Sequence, residues 1–293
     1  MANAPERPLR IGTRGSPLAL AQARMVADAL KAAHGWTDDA IAIVPIATSG
    51  DAIQDRPLAE FGGKALWTKE LDACLIDGRT DLSVHSMKDV ETIRPGALTI
   101  AAMLERADVR DRLIGAETIE SLPEGARVGT SSPRRTAQLL RRRPDLRIAP
   151  IRGNVQTRLE KVARGDFDAT LLAAAGLDRL GLAAGAPLDL LPAPAQGAIG
   201  VEILAGRDDL RALLDAIDHK PTHEAVDSER ALLARLGGDC HSAVAALAQG
   251  ALVRAEILSA DGGEVQSGEG EPADLARRLL AAASPALRAM FGR

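Results

Sequence analysis

A cluster of polar side chains follows a short apolar run in residues 82–90, LSVHSMKDV. His85, Ser86, Lys88 and Asp89 arrive within five positions of one another. Ligands of α/β sheets bind beyond the carboxyl ends of strands, and a neighbouring cation tunes the charge state of a carboxylate for proton chemistry. This stretch alone favours a simpler interpretation, in which Ser86 caps a helix and Lys88–Asp89 is a solvated pair. The rest of the chain favours the chemical one.

A second concentration of charge lies between positions 134 and 164, where ten basic residues oppose two acidic ones. A nucleic-acid site would need aromatic stacking platforms, and Phe167 is the only aromatic residue nearby. Arg134, Arg135 and Arg152 stand at predicted strand-to-helix turns, while Arg141–Arg143 are expected on a solvated helix face. Arg forks suit carboxylates and phosphates, with each charge-assisted hydrogen bond contributing about 1.5–3 kcal/mol. We therefore predict a small polyanionic ligand.

Two segments of the chain begin a helix in the same way. IGTRGSPLALAQ and VGTSSPRRTAQ share a hydrophobic residue before Gly-Thr, then Ser-Pro, then Ala-Gln. Ser16 is the predicted N-cap and Pro17 the first helical residue, and free backbone N–H groups at such an end attract anions. Two such ends, one in each of two domains, would form an anion-binding cleft if they faced each other.

The elements that position these residues alternate between strand and helix, which predicts a parallel or mixed α/β sheet. A polar segment at 49–64 contains Gly62-Gly63 and is expected to be a mobile loop. We expect residues 94–108 to cross to a second unit and residues 181–197 to be a connector. The strand at 198–204 is expected to return to the first domain. The predicted domains are 1–100 with 197–218, then 101–196, then 219–293.

Composition agrees with an ordinary globular protein of 293 residues, with 46% hydrophobic and 26% charged residues. The net charge of -4 gives no reason to expect nucleic acid or an anionic membrane. The N-terminus lacks the apolar core of a signal peptide, so a cytoplasmic protein is expected. His219, His223 and Cys240 could suggest zinc, but Pro221 is expected to interrupt their shared helical face, and we predict no metal site.

The two cysteines are expected to differ. Leu71, Cys74 and Leu75 fall on one apolar helix face, so Cys74 is predicted to be buried and inert. Cys240 follows two glycines at a predicted helix end and is expected to be accessible and reactive.

Taken together, the motifs resemble the porphobilinogen deaminase (hydroxymethylbilane synthase) family over nearly the whole chain. Each motif alone is weak, but several in the right order are specific. They are IGTRGSPLALAQ, FGGKALWTKELD, DLSVHSMKD, VGTSSPRR, IRGNVQTRL, AAAGLDRLG, AQGAIGVE and LGGDC.

The resemblance implies an α/β fold of three domains. The first two would be like two-lobed periplasmic binding proteins with mixed sheets, and the third a small α+β domain. It also implies a dipyrromethane cofactor on a thioether to Cys240, and stepwise condensation of four porphobilinogen molecules with release of ammonia. Water then releases linear hydroxymethylbilane, a precursor of porphyrin and haem. A monomer is expected, with no nucleic-acid or membrane partner.

The resemblance also implies roles for single residues. The expected catalytic residues are Asp89, which supplies the carboxylate, and Lys88 beside it. The chain departs from the family pattern at Glu91, where Pro is frequent. The expected cofactor-binding residues are Cys240, Ser16, Ser132, Arg134, Arg135, Lys88, Asp89 and Gly153; the substrate-binding residues Arg14, Arg152, Arg158, Arg179, Gln22 and Gln196; and the active-site loop residues Gly62, Gly63 and Trp67.

Two other classes of function stay open at this point. A non-catalytic anion-binding protein would share the two-lobed fold, but the lack of a signal peptide and the combination of Asp89 with Cys240 favour the enzyme. A nucleic-acid binder using residues 134–164 would show affinity that falls steeply with salt.

Overall fold

The computed structural model describes residues 5–48, 68–238 and 242–291. The chain forms two compact units. The first comprises Met1–Ala107 and Ala198–His223, and the second comprises Asp108–Gly197 and Glu224–Arg293.

The strands of the described residues assemble into three sheets. In chain order they are β1 (Leu9–Arg14), β2 (Ile41–Ile46), β3 (Leu82–Ser86), β4 (Leu98–Met103), β5 (Asp111–Ile114), β6 (Arg127–Gly129), β7 (Arg147–Ala149), β8 (Ala169–Ala173), β9 (Ala186–Leu188), β10 (Ile199–Leu204), β11 (Val244–Gln249), β12 (Leu252–Leu258) and β13 (Val265–Gly270).

The α-helices of the described residues range from one turn to five turns. In chain order they are α1 (Pro17–His34), α2 (Lys69–Ile76), α3 (Pro133–Arg142), α4 (Val155–Ala163), α5 (Ala174–Arg179), α6 (Asp208–Leu214), α7 (Lys220–Leu236), α8 (Pro272–Ala282) and α9 (Pro285–Arg288). None of these helices is long and apolar enough to cross a membrane.

The first unit contains a five-stranded mixed sheet in the order β2-β1-β3-β10-β4. β1 is parallel to β2 and β3, while β10 is antiparallel to β3 and β4. Helix α1 covers this sheet with an apolar stripe, because Ala23, Val26, Ala27 and Leu30 recur at helical spacing and are buried. The strand predicted at 198–204 therefore does return to the first unit, as β10.

The second unit repeats this topology in its own mixed sheet, which has the order β7-β6-β8-β5-β9. β6 is parallel to β7 and β8, and β5 is antiparallel to β8 and β9. β6 and α3 thus take the places that β1 and α1 hold in the first sheet. The short similarity between IGTRGSP and VGTSSP reflects this repeated strand–helix unit.

A third, antiparallel sheet of the second unit has the order β11-β12-β13. Helix α8 packs on it through Leu275, Ala276 and Leu279. The prediction of an α/β protein with two mixed sheets and a smaller α+β part is confirmed. The division into three domains stays a prediction.

Several sequence-based boundaries differ from the structure. Residues 98–103, expected to cross to the second unit, form β4 of the first sheet, where they pair with β10. The predicted connector at 181–197 contains β9, a short edge strand. Pro221 does not interrupt a helix, because α7 begins at Lys220 and proline is tolerated in a first turn. The predicted helix 272–290 divides at Ser284, which caps a separate turn beginning at Pro285.

Candidate active site

A pocket of the first unit lies where β3 ends and α1 begins. It is lined by four of the predicted site residues, Arg14, Ser16, Gln22 and Asp89, and by His85 and Ser86 among others. The structure therefore brings together side chains that lie as far as 75 positions apart in the sequence, from Arg14 to Asp89.

The start of α1 forms one wall of this pocket. Ser16 has extended backbone dihedrals, and its Oγ accepts a hydrogen bond of 3.3 Å from the Ala19 N–H, with Pro17 as the first helical residue. Gln22, one turn further along α1, is buried, and its Nε2 donates to Ser86 Oγ over 2.8 Å. The predicted N-cap is confirmed, and the remaining N-terminal N–H groups give this wall an affinity for anions.

Asp89 ends a one-turn 3₁₀ helix, Met87–Asp89, that follows β3 directly. Its side chain is exposed, whereas Lys88 beside it is half-buried and Met87 is fully buried. The buried methionine fixes the turn to the core and leaves the carboxylate open to the pocket and to solvent. A carboxylate held in this way can accept hydrogen bonds and stabilise a nearby positive charge.

Behind the pocket, Glu202 on β10 has a fully buried carboxylate that interacts with two side chains, His85 and Arg94. His85 Nε2 lies 3.1 Å from its Oε2, and Arg94 donates from Nε to its Oε1 over 2.8 Å. Burial by itself would raise the pKa of Glu202, but these hydrogen bonds outweigh it and lower the pKa to about 2. Glu202 is therefore ionised at neutral pH.

In the second unit, Arg134 and Arg135 point into the core rather than to solvent, with 3% and 7% exposed area. Ser132 caps their helix by accepting from the Arg135 N–H. Both guanidinium groups bind the buried carboxylate of Asp111, from Arg134 Nη2 at 2.8 Å and Arg135 Nη2 at 2.7 Å. Gln196 Nε2 donates to the same carboxylate over 2.9 Å.

Asp111 thus organises three of the predicted ligand-binding residues, Arg134, Arg135 and Gln196. Burial opposes ionisation of this carboxyl group, but the two guanidinium groups hold its pKa far below the usual range. Arg134 Nε is buried without a hydrogen-bond partner among the described residues. The roles of these residues toward a ligand stay predictions.

Asp111→Asn is expected to lower the free energy of unfolding by about 3–5 kcal/mol, because it leaves two buried guanidinium groups without their anion. Urea denaturation measures this change. Asp145→Asn is the matched control: Arg143 binds Asp145 with similar geometry but in partly exposed surroundings, so the loss there is expected to be much smaller. Equal losses would contradict the structural role assigned to Asp111.

Three more predicted site residues cluster at the start of α4. Gly153 has φ +104, and a Cβ there would lie 2.7 Å from Thr157 Cγ2, so only glycine fits this turn. Asn154 caps the helix by accepting from the Thr157 N–H over 2.9 Å, and Arg158 Nε donates to the Gly153 carbonyl over 2.9 Å. Arg152 is half-buried and forms no ion pair with any described residue.

Arg179, at the end of α5, is a partly buried cation. Its Nη2 donates to the Gly197 carbonyl over 2.6 Å, while its Nε is buried without a hydrogen-bond partner among the described residues. Burial lowers the pKa of Arg179 to about 10. A carboxylate that approached this guanidinium would offset the cost of burying its charge.

Four predicted residues, Cys240, Gly62, Gly63 and Trp67, lie outside the described residues. The other cysteine, Cys74, lies on the apolar face of α2 between Leu71 and Leu75 and is 2% exposed. Burial raises the pKa of its thiol, so it is a poor nucleophile at neutral pH. The prediction that Cys74 is buried is confirmed.

Sequence reasoning missed Asp111, Glu202 and Arg94. Glu202 could have been found from the sequence, because it is the one charged residue in the apolar stretch AIGVEIL. A charged side chain in a buried strand is almost always paired with another polar group. Asp111 and Arg94 have no comparable local signal, since their partners come from distant parts of the chain.

The described side chains fit a ligand that carries several carboxylates together with N–H donors. Dipyrromethane has this character, since each ring bears an acetate, a propionate and a pyrrole N–H. Arg152 and Arg179 are cations without a described carboxylate partner, and two serine-capped helix ends offer backbone N–H groups. The Asp89 carboxylate offers an acceptor for the pyrrole N–H groups. On this α/β fold, each unit by itself therefore has groups suited to the carboxylates or N–H groups of such a ligand.

The chain is similar in sequence to known proteins of one family. Residues 9–212 match the family described as porphobilinogen deaminase, dipyromethane cofactor binding domain. A porphobilinogen deaminase of Sphingopyxis alaskensis is 57% identical over 98% of both chains. One of Paracoccus denitrificans is 51% identical over 90% of this chain and 88% of its own. Among solved structures, a nutrient binding protein from Burkholderia cenocepacia aligns at 14% identity over 75% of this chain and 94% of its own, with a TM-score of 0.44.

The chain belongs to the porphobilinogen deaminase family. It is accordingly a transferase of tetrapyrrole biosynthesis, and its cofactor is dipyrromethane.

Proposed function

We propose that this chain condenses four porphobilinogen molecules in sequence, releases one ammonia at each condensation, and finally releases hydroxymethylbilane by hydrolysis. The observation that carries the proposal is the pocket of the first unit, where the Asp89 carboxylate shares a cavity with Arg14, Ser16 and Gln22. The Asp89 carboxylate can stabilise positive charge at the reacting centre. Arg14 and the backbone N–H groups at the start of α1 can bind the substrate carboxylates. Family membership supplies the reaction.

Asp89 is the catalytic carboxylate in this proposal. As ammonia leaves porphobilinogen, positive charge develops on the pyrrole, and the Asp89 carboxylate stabilises it while accepting the pyrrole N–H. Two unit charges 4 Å apart attract by about 4 kcal/mol at an effective dielectric of 20. An interaction of that size suffices for a large share of a catalytic effect. Lys88, in the same turn, would bind a carboxylate of the cofactor or substrate.

Substrate and cofactor carboxylates would bind the basic and N–H donor groups. In the first unit these are the N-terminus of α1, with Arg14, Ser16 and Gln22 around it. In the second unit we assign this role to Ser132, Gly153, Gln196 and five basic residues. The five are Arg134, Arg135, Arg152, Arg158 and Arg179, of which Arg152 and Arg179 have no described carboxylate partner.

Cys240 would hold the cofactor through a thioether, a bond that the thiols of a reducing compartment do not exchange. When bound, the cofactor supplies a nucleophilic pyrrole carbon on which the chain of rings grows. Gly62, Gly63 and Trp67 are proposed to belong to a loop that covers the growing chain. Support for these assignments comes from the sequence motifs, GGDC and FGGKALW.

Incubation with porphobilinogen tests the proposal directly. The purified chain is expected to release one ammonia for each porphobilinogen consumed and to yield a product that closes spontaneously to uroporphyrinogen, detected as uroporphyrin after oxidation. Binding of porphobilinogen without ammonia release would identify a non-catalytic binding protein instead.

Arg152→Leu is expected to reduce turnover by about 10–100-fold, the loss that corresponds to one charge-assisted hydrogen bond of 1.5–3 kcal/mol. Arg141→Leu, on the exposed face of α3, is the control and should leave turnover nearly unchanged. Arg142 is less suitable, because it donates to the Asp189 carbonyl. Steady-state turnover and mass spectrometry of trapped intermediates measure both variants. Equal losses of turnover at the two positions would mean that the basic segment attracts the substrate through its total charge and not through contacts of single residues.

We also propose that the enzyme is a cytoplasmic monomer without a nucleic-acid partner. The net charge of -4 supports the last point. Sedimentation at several protein concentrations tests the monomer, and titration with single-stranded and duplex DNA at low salt tests the absence of nucleic-acid binding.

A further inference from the structure

The 3₁₀ turn that carries Asp89 is fixed to one buried carboxylate at both of its ends. His85 precedes the turn, and its Nε2 lies 3.1 Å from Glu202 Oε2. Arg94 follows the turn and donates from Nε to Glu202 Oε1 over 2.8 Å and from Nη2 to Glu202 Oε2 over 2.9 Å. Glu202 therefore closes residues 85–94 into a loop on β10.

Arg94 uses all five of its N–H donors in this arrangement. Besides the two bonds to Glu202, Nη2 donates to Asp72 Oδ1 over 2.5 Å, and Nη1 donates to Glu91 Oε2 over 2.5 Å and to Thr68 Oγ1 over 3.3 Å. Thr68 in turn donates to Glu91 over 2.9 Å. One guanidinium group thus joins β10, the start of α2 and the segment that leaves the Asp89 turn.

Arg94 and Glu202 are both charged at neutral pH. Burial by itself would lower the pKa of Arg94, but its bonds to Glu202 and Asp72 raise it well above its usual value. Glu202 is ionised, as described above. A lysine could not replace Arg94, because an ammonium group offers three donors from one point and not a planar fork.

A steric contact with β10 also fixes the same turn. Met87 is 1% exposed, and its backbone N–H donates to the Ala198 carbonyl over 3.1 Å. A Cβ at Gly200 would lie 2.1 Å from Met87 Sδ, so the glycine on β10 makes room for this side chain. The turn therefore has little freedom to move away from β10 except through the segment that Arg94 holds.

We infer that Arg94, together with Glu202 and Glu91, is a positioning residue that holds the Asp89 carboxylate in its catalytic orientation. The ion pair between Arg94 and Glu91 restrains the backbone that leaves the turn. Arg94 does not itself line the pocket of the first unit, but its partner Thr68 does, and its partner Glu202 binds His85 of the pocket wall. This inference rests on the catalytic role proposed for Asp89.

Arg94→Lys is the test variant, and Arg10→Lys is the control. Arg10 also forms a guanidinium–carboxylate pair, with Asp81, at the opposite end of β3. In Arg94→Lys, kcat for porphobilinogen is expected to fall by about 10–100-fold, because small misplacements of a catalytic group are costly, while KM changes by less than about twofold. Arg10→Lys should retain kcat within about twofold.

Hydrogen exchange supplies a readout that does not depend on turnover. The Val90 N–H donates to the Met87 carbonyl within the turn, and peptides covering 87–91 are expected to exchange faster in Arg94→Lys, with those from β1 unchanged. Glu91→Gln, which leaves the fork to Glu202 intact, is the milder second variant and should shift both readouts in the same direction.

The inference is overturned if exchange at 87–91 does not change, or if it rises while kcat stays the same. A parallel rise in KM would also overturn it, because that result indicates a binding residue. Retained activity of Asp89→Asn would instead refute the proposed catalytic role of Asp89, whatever hydrogen exchange shows for Arg94, Glu202 and Glu91.

Discussion

Asp89→Asn is expected to fold normally and to lose nearly all turnover, by about 10²–10³-fold or more. The neutral amide keeps the shape of the side chain but cannot stabilise the positive charge that develops as ammonia leaves. Folding should be unaffected because the Asp89 side chain is exposed. Thermal unfolding and the rate of ammonia release from porphobilinogen measure the two expectations separately.

Asp77→Asn is the matched control for this variant. Asp77 is another exposed carboxylate of the first unit, at the end of α2, and its loss should leave turnover unchanged. Near-normal turnover in Asp89→Asn would refute the assignment of the catalytic carboxylate. A similar loss in both variants would indicate a general effect of surface charge.

Cys240→Ser is expected to abolish both activity and covalent attachment of the cofactor. A serine hydroxyl is a far weaker nucleophile than a thiolate at neutral pH, so no ether should form in place of the thioether. The intact mass of the variant should equal the mass of its sequence, and no turnover should be detectable.

Cys74→Ala is the control for this second prediction. Cys74 is buried among Leu71 and Leu75, and burial raises the pKa of its thiol. The alanine variant should keep the adduct and the activity, with some loss of stability from the cavity it leaves. An adduct that maps to Cys74, or an active enzyme with unmodified Cys240, would overturn the proposed attachment.

Local signals in the sequence were enough for the repeated strand–helix unit. Ser16-Pro17 and Ser132-Pro133 each combine an N-cap with a first-turn proline, and both helices begin where this pattern predicts. The polar cluster at the end of β3 was also predictable, because the short buried run Leu82-Ser83-Val84 is followed at once by polar and charged residues. These features depend on neighbours in the chain, which is why the sequence reveals them.

Features that depend on distant pairing were not predictable. β5 and β9 are short strands that pair with each other, and β5 also pairs with β8. Residues 98–103 form a strand of the first sheet because β10, far along the chain, returns to pair with them. The local sequence of these strands does not indicate which distant strand each one pairs with.

In the basic segment, residues 134–164, composition alone does not reveal which arginines are open to a ligand. Arg134 and Arg135 stand at a predicted turn beside a stretch of exposed arginines, and their charge suggested open ligand-binding groups. The structure instead binds both to Asp111 in the core, which was not singled out. Arg152 and Arg179, without such partners, are now the stronger candidates for contact with a ligand carboxylate.

The most direct test of the central claim, a growing pyrrole chain covalently attached to Cys240, is the intact mass of the purified protein before and after addition of limiting porphobilinogen. The resting protein should exceed the mass of its sequence by two linked pyrrole units. Limiting substrate should add a ladder of single pyrrole units, and peptide mapping should place all of them on Cys240. A protein whose mass equals its sequence, and which gains no mass with porphobilinogen while still consuming it, would contradict the account.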